Sequence, residues 1–180
     1  MFMRLRQYLT PINVVLILLI VFAAASRFWP HPANFAPIAA IALFSGVYLG
    51  KRASIVAPVV AMIISDMFLG MHNLVFFTWG SMALVGVIGW WVKEKKQPGR
   101  IVLGALAGSA LFYFITNGAV WAIGQGAMYP HNLAGLTEAY VAGLPFLRNT
   151  VAGDLVYTAA LFGIAELAFA WARRRARVVA

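Results

Sequence analysis

Residues 27–50 read RFWPHPANFAPIAAIALFSGVYLG, and the fold turns on how this stretch is read. Its second half is an apolar run rich in small residues, suited to the inside of a helix bundle. Its first half carries Pro30, Pro32 and Pro37, with His31 and Asn34 among them. Proline has no N–H and a fixed φ, so residues 28–36 are expected to break helix between two apolar runs. Non-helical backbone at membrane depth is tolerated where it lines a cavity or is buried in protein. The stretch therefore predicts both a chain reversal and one wall of a pocket.

The rest of the chain supports a membrane setting. Its 180 residues are 63% hydrophobic and 11% charged, with a mean hydropathy of +0.85, against about 25% charged residues in a soluble domain. A spanning helix needs about 20 mostly apolar residues. Six spans are expected, over roughly 11–27, 36–50, 53–70, 73–92, 100–124 and 149–172, with the second short enough to be tilted or partly broken. The fold class is an all-α integral membrane protein, a single domain built as a bundle of six transmembrane helices. Cysteine is absent, which excludes disulfides, thiolate metal sites and cysteine nucleophiles.

The basic residues set the expected orientation. Arg4 and Arg6, Lys51 and Arg52, Lys93 to Arg100, and Arg173 to Arg177 hold 12 of the 14 Lys and Arg. Six spans put all four clusters on one side and leave Arg27 and Arg148 on the other. The positive-inside rule then places both termini of a multi-pass chain in the cytoplasm. This distribution explains the net charge of +9 without nucleic acid. The first span also looks like a cleavable signal peptide. Cleavage would leave five spans and scatter the clusters, so retention is expected.

On the outer side, residues 125–148 form a long segment, within which LAGLTEAYVAGLPF (133–146) has helical character that Pro145 is expected to end. A surface helix or lid and a plain structured loop both fit it. Gly104 with Gly108, and Gly46 with Gly50 behind Ala42, are spaced for close helix contacts inside the bundle.

Ionisable groups inside a bilayer are expensive. Asp66, Asp154 and Glu166 are three. By depth, Asp66, Asn117 and Asp154 lie in the outer half, level with His31 and Asn34, with His72 and Asn73, and with Trp79, Trp121, Asn149 and Tyr157. Polar groups from sequence-distant helices, walled by aromatics, form the pattern of a small-molecule site. Each has a structural alternative. Asp66 would cap its helix or pair with His72, Asp154 would pair with Arg148 or favour a helix N-terminus, Asn117 would bond a neighbouring helix, and Glu166 would snorkel toward the arginine cluster. The alternative class of function is a structural or assembly membrane protein in which these groups only lock helices. His31, His72 and His131 lack metal-ligand spacing, so no metal is expected. Walker A, HExxH and GxSxG motifs are missing, so no enzyme and no cofactor is expected.

At PHPANFAPIAAIALFSGVYL, ITNGAVW and PFLRNTVAGDLVYT the chain resembles an uncharacterised family of small bacterial membrane proteins. That family is similar to the substrate-binding S-components of energy-coupling-factor (ECF) transporters. The resemblance implies tight capture of a vitamin or related micronutrient from outside. It implies loops that close over the ligand, and a separate coupling protein with two ATPases as partners, besides membrane lipid. It carries His31, Asn34, Asn117, Trp121, Arg148, Asn149, Asp154 and Tyr157 over as pocket residues. One feature departs from the S-component pattern. Many S-components present a small-residue face on their first helix to the coupling protein, whereas here span 1 reads INVVLILLIVF and the small-residue face is on span 2, so the chain could also act alone.

Overall fold

The computed structural model describes residues 10–124 and 126–179, with side chains to residue 176. Arg4, Arg6 and the side chain of Arg177 lie outside the described residues. The chain forms six helices: α1 (Pro11–Ser26), α2 (Ile38–Tyr48), α3 (Lys51–Leu69), α4 (Val75–Glu94), α5 (Pro98–Ile123) and α6 (Leu133–Val179). Among the described residues there is no strand. Pro11 and Pro98 start α1 and α5, where a missing N–H costs nothing. Thr10 caps α1 by accepting from the Asn13 N–H at 3.3 Å.

Four helices, α3 to α6, are long and apolar enough to cross a membrane, and α1 and α2 are shorter apolar helices. The shortest is the centre of the bundle. All residues of α2 from Ile38 to Val47 are buried, and it packs on each of the other five helices. Its small residues allow this. A Cβ on Gly46 would lie 2.7 Å from the Gly86 carbonyl oxygen and 2.9 Å from Gly89 Cα. Gly104 abuts Val92, and Gly108 abuts Val85. Gly50, expected as a packing residue, instead has φ +99 and turns the chain into α3.

Two prolines lie inside helices. Pro58 in α3 removes the amide that would bond the Ser54 carbonyl. That oxygen faces Gly86 of α4 so closely that a Cβ there would overlap it. Pro145 does not end a helix, contrary to the sequence expectation; α6 runs through it from Leu133 to Val179. The stretch 133–145 is held helical by α5. Tyr113 donates to the Tyr140 carbonyl at 2.5 Å, and Tyr140 donates to the Phe114 carbonyl at 3.1 Å. Three rings, Tyr113, Phe114 and Tyr140, pack together there.

The end of the bundle holding the 49–50 and 95–97 turns is rich in cations, and these sit on aromatic rings. Lys51 lies over Trp90, Arg100 over Trp91 and Arg175 over Trp171, at 4.0–5.0 Å from the ring centroids. Glu166 does not reach toward the arginine cluster for its bonds. It accepts from Tyr48 and from Lys96, each at 2.5 Å, tying α2, the α4–α5 turn and α6 together. That bond to Glu166 holds the Lys96 ammonium above the ordinary lysine range.

Candidate functional site

At the opposite end, the Pro-rich end, a cavity of about 510 Å³ opens into the bundle. Five helices, α2 to α6, and the residue that follows α1 supply its wall. Arg27 comes from the end of α1, Ile38 and Ala39 from the start of α2, Met62 and Leu69 from α3, and Thr78 and Met82 from α4. Phe112, Thr116, Asn117 and Val120 come from α5, and Phe146, Thr150 and Asp154 from α6. His31, Asn34 and Ala36 from the Pro-rich segment, with His72 and Leu74 from the α3–α4 turn, complete it.

The cavity exists because the central helix is short. At about 1.5 Å per residue, α2 reaches about 17 Å, while its neighbours α3 and α4 reach about 28–30 Å. Above Ile38 the bundle axis is therefore left without a helix. The segment 27–37 fills only part of that space, because its prolines hold it in turns. The Phe35 N–H bonds the Pro32 carbonyl at 3.0 Å across a turn in which Asn34 has φ 64. Asparagine is one of the few residues that takes this left-handed conformation readily.

One wall carries a buried ion pair. Arg27 Nη1 lies 2.5 Å from Asp66 Oδ1 and 2.5 Å from Ser65 Oγ. Trp79 Nε1 donates to Asp66 Oδ2 at 2.7 Å. Asp66 is 1% exposed and has both oxygens occupied, and it does not pair with His72. Arg27, with a side chain 20% exposed, keeps Nε and Nη2 without acceptors among the described residues and lines the cavity. His72 Nδ1 accepts from the Leu74 N–H at 3.2 Å, so its proton sits on Nε2.

The opposite partner in charge is Asp154, 2% exposed yet part of the cavity wall. Ser109 Oγ donates to its Oδ2 at 2.6 Å. Arg148 does not pair with it; among the described residues no cation lies within ion-pair distance of Asp154. Asn117 donates to the Tyr113 carbonyl at 2.9 Å and rests against Gly143, where a Cβ would overlap its Oδ1. The hydroxyls of Thr78, Thr116 and Thr150 each return to a carbonyl of their own helix.

The expected site residues therefore divide. His31, Asn34, His72, Asn117 and Asp154 line the cavity. Asp66 stands one bond behind it, through Arg27, and Trp79 one bond further, through Asp66. Four others are not on its wall. Trp121 donates to the Pro130 carbonyl at 3.0 Å and stacks on His131, closing the turn after α5. Arg148 is exposed and Asn149 half-buried. Tyr157 packs its ring on Phe22 and Phe35. Arg27 was missed as a wall residue, although a lone arginine beyond span 1 and an uncompensated aspartate in span 3 were both legible. Among the described residues no group of three His, Asp or Glu comes together as a metal site.

The described residues thus form an all-helical bundle with a cavity at one end, and four of its helices are long and apolar enough to cross a membrane. The particular relationship is to a family of unknown function, DUF6580, whose model matches residues 7–178. The chain belongs to that family. No curated protein and no solved structure matches the chain.

Proposed function

We propose that this protein is the substrate-binding component of a small-molecule uptake system, comparable to an ECF S-component. The carrying observation is the cavity of about 510 Å³ walled by helices α2 to α6 and by Arg27 beyond α1, of a size that suits one vitamin-sized molecule. The bundle inserts with its Pro-rich end outward and both termini in the cytoplasm of a prokaryotic cell. Supporting this, cations stacked on tryptophans mark the basic end, as at a cytoplasmic interface. Large apolar side chains such as Phe68, Phe76 and Leu167 are more than 70% exposed, as on a lipid-facing surface. At about 70 Å, α6 exceeds the roughly 30 Å hydrocarbon core, and its arginine-bearing end projects into the cytoplasm. The segment 27–37 forms the outer wall over the ligand. Binding, not catalysis, is the activity. Uptake needs an energising partner of the coupling-protein and ATPase kind. That partner does not dock on the small-residue face of α2, which is consumed inside the bundle.

The test is mass spectrometry of non-lipid small molecules copurifying with the protein, against the Asn117→Ala/Asp154→Asn double variant. A compound present with the wild type and absent from an equally folded variant is expected. No compound, with the variant merely less stable, would favour a structural protein whose Arg27–Asp66 and Ser109–Asp154 bonds only lock helices.

A further inference from the structure

We infer that the ligand of this cavity is a small organic monocation, an amine, amidine or cationic heterocycle with an apolar body, whose charged N–H group bonds Asp154. The inference rests on the ligand-binding reading of the cavity and specifies its chemistry.

The charges of the wall do not balance. Arg27 is neutralised by Asp66, whose two oxygens are occupied by Arg27 and Trp79. Asp154 is the remaining acid, and it is 2% exposed. Its Oδ2 accepts from Ser109, while its Oδ1 accepts no hydrogen bond among the described residues. A buried carboxylate without a counter-charge is costly and is normally paired. Here the unpaired oxygen belongs to a residue of the cavity wall, so a cation entering the cavity would supply the missing partner. The Arg27–Asp66 pair, whose Arg27 lines the same cavity, carries no net charge to attract an anion.

The surroundings select an organic cation over a metal ion. The cavity wall offers Ile38, Met82, Phe112 and Phe146, and the hydroxyls it carries on Thr78, Thr116 and Thr150 are each already bonded to a carbonyl of their own helix. Among the described residues no further acid or histidine joins Asp154 as a metal ligand. An apolar body fills the space left above α2 while one cationic N–H group points to Oδ1. Arg27 Nε and Nη2 then have N–H groups for an acceptor elsewhere on the same molecule.

The experiment has two arms. Non-lipid compounds extracted from the purified wild type are sorted by charge on a cation exchanger and compared with those from Asp154→Asn and Ser109→Ala. In parallel, thermal shifts of the three proteins are measured with benzamidine, with benzoate of matched size, and with sodium alone. The expected result is a cationic extract, lost from Asp154→Asn and reduced in Ser109→Ala, with a shift by benzamidine and none by benzoate. Affinity for benzamidine should fall about a hundredfold in Asp154→Asn, the scale of an unpaired buried charge. Ser109→Ala keeps the carboxylate and provides the reading if Asp154→Asn does not fold. An anionic or neutral extract, a cation retained in Asp154→Asn, or a shift by sodium alone would overturn the monocation while leaving the cavity a binding site. No extract and no shift by either organic probe would overturn the binding reading, and the inference with it.

Discussion

Arg27 and Asp66, 39 positions apart, meet at 2.5 Å where the end of α1 reaches α3, and Asp66 is almost fully buried. Breaking a buried pair from one side leaves an uncompensated charge, which typically costs about 3–5 kcal/mol. Arg27→Ala is expected to lower the thermal midpoint in detergent sharply. The double variant Arg27→Met/Asp66→Leu should recover most of the loss, because neither charge is then stranded. A double variant no better than Arg27→Ala would show that the pair does not act as a unit. Trp79→Phe removes one bond to a charged acceptor and should cost about 1.5–3 kcal/mol.

Backbone contact between α3 and α4 depends on Gly86. Gly86→Ala places a methyl against the Ser54 carbonyl, which is backbone and cannot rotate away. A loss of about 1–3 kcal/mol, or failure to fold, is expected. Gly163→Ala on α6 meets nothing within 4 Å and should be neutral or slightly stabilising. Equal effects in the two variants, read by thermal denaturation, would remove the packing argument.

Gly143 controls the cavity from behind. A methyl there overlaps Asn117 Oδ1, a side-chain atom that can move, so the bundle survives while Asn117 is displaced. Gly143→Ala is expected to cost less stability than Gly86→Ala yet weaken binding of the copurifying compound tenfold or more. Unchanged binding would place Asn117 outside the recognition set.

At the basic end, the Lys96–Glu166 contact is substantially exposed, with side chains 37% and 45% accessible. Glu166→Gln should therefore cost no more than about 1 kcal/mol. Phe162→Ala, from a 5% exposed ring packed on Phe44 and Tyr48, should cost about 3–5 kcal/mol. The raised Lys96 keeps its proton below the ordinary lysine range and loses it only as pH climbs through the higher folded value. Its stabilisation is thus constant across neutral pH and fades on the alkaline side, a trend that Lys96→Met should abolish.

The absence of cysteine makes topology directly testable. Ala33→Cys should react with a membrane-impermeant maleimide in intact spheroplasts, and Lys95→Cys only after permeabilisation. The reverse labelling would invert the proposed orientation.

The number of helices and most of their ends were legible from the chain alone, because both follow from local composition. Apolar runs, the clusters between them and prolines that cannot donate mark breaks without reference to any partner. The Pro-rich stretch 28–36 is non-helical for that reason, and the shortness of α2 follows from where Pro37 stands. The sequence also ranked His31, Asn34, His72, Asn117 and Asp154 at one height, and these five share the cavity. It did not determine rotation. A helix that is apolar around its whole circumference gives no sign of which face turns inward, so Tyr157 and Trp121 could not be separated from Asn117. Only the tertiary structure brought Arg27 to Asp66 and Ser109 to Asp154, kept α6 helical through Pro145 against α5, and set the shortest helix at the centre. Those outcomes depend on contacts between residues far apart in the chain, where close packing decides which polar atoms find partners and, among the described residues, leaves Asp154 Oδ1 without a hydrogen bond at a residue of the cavity wall.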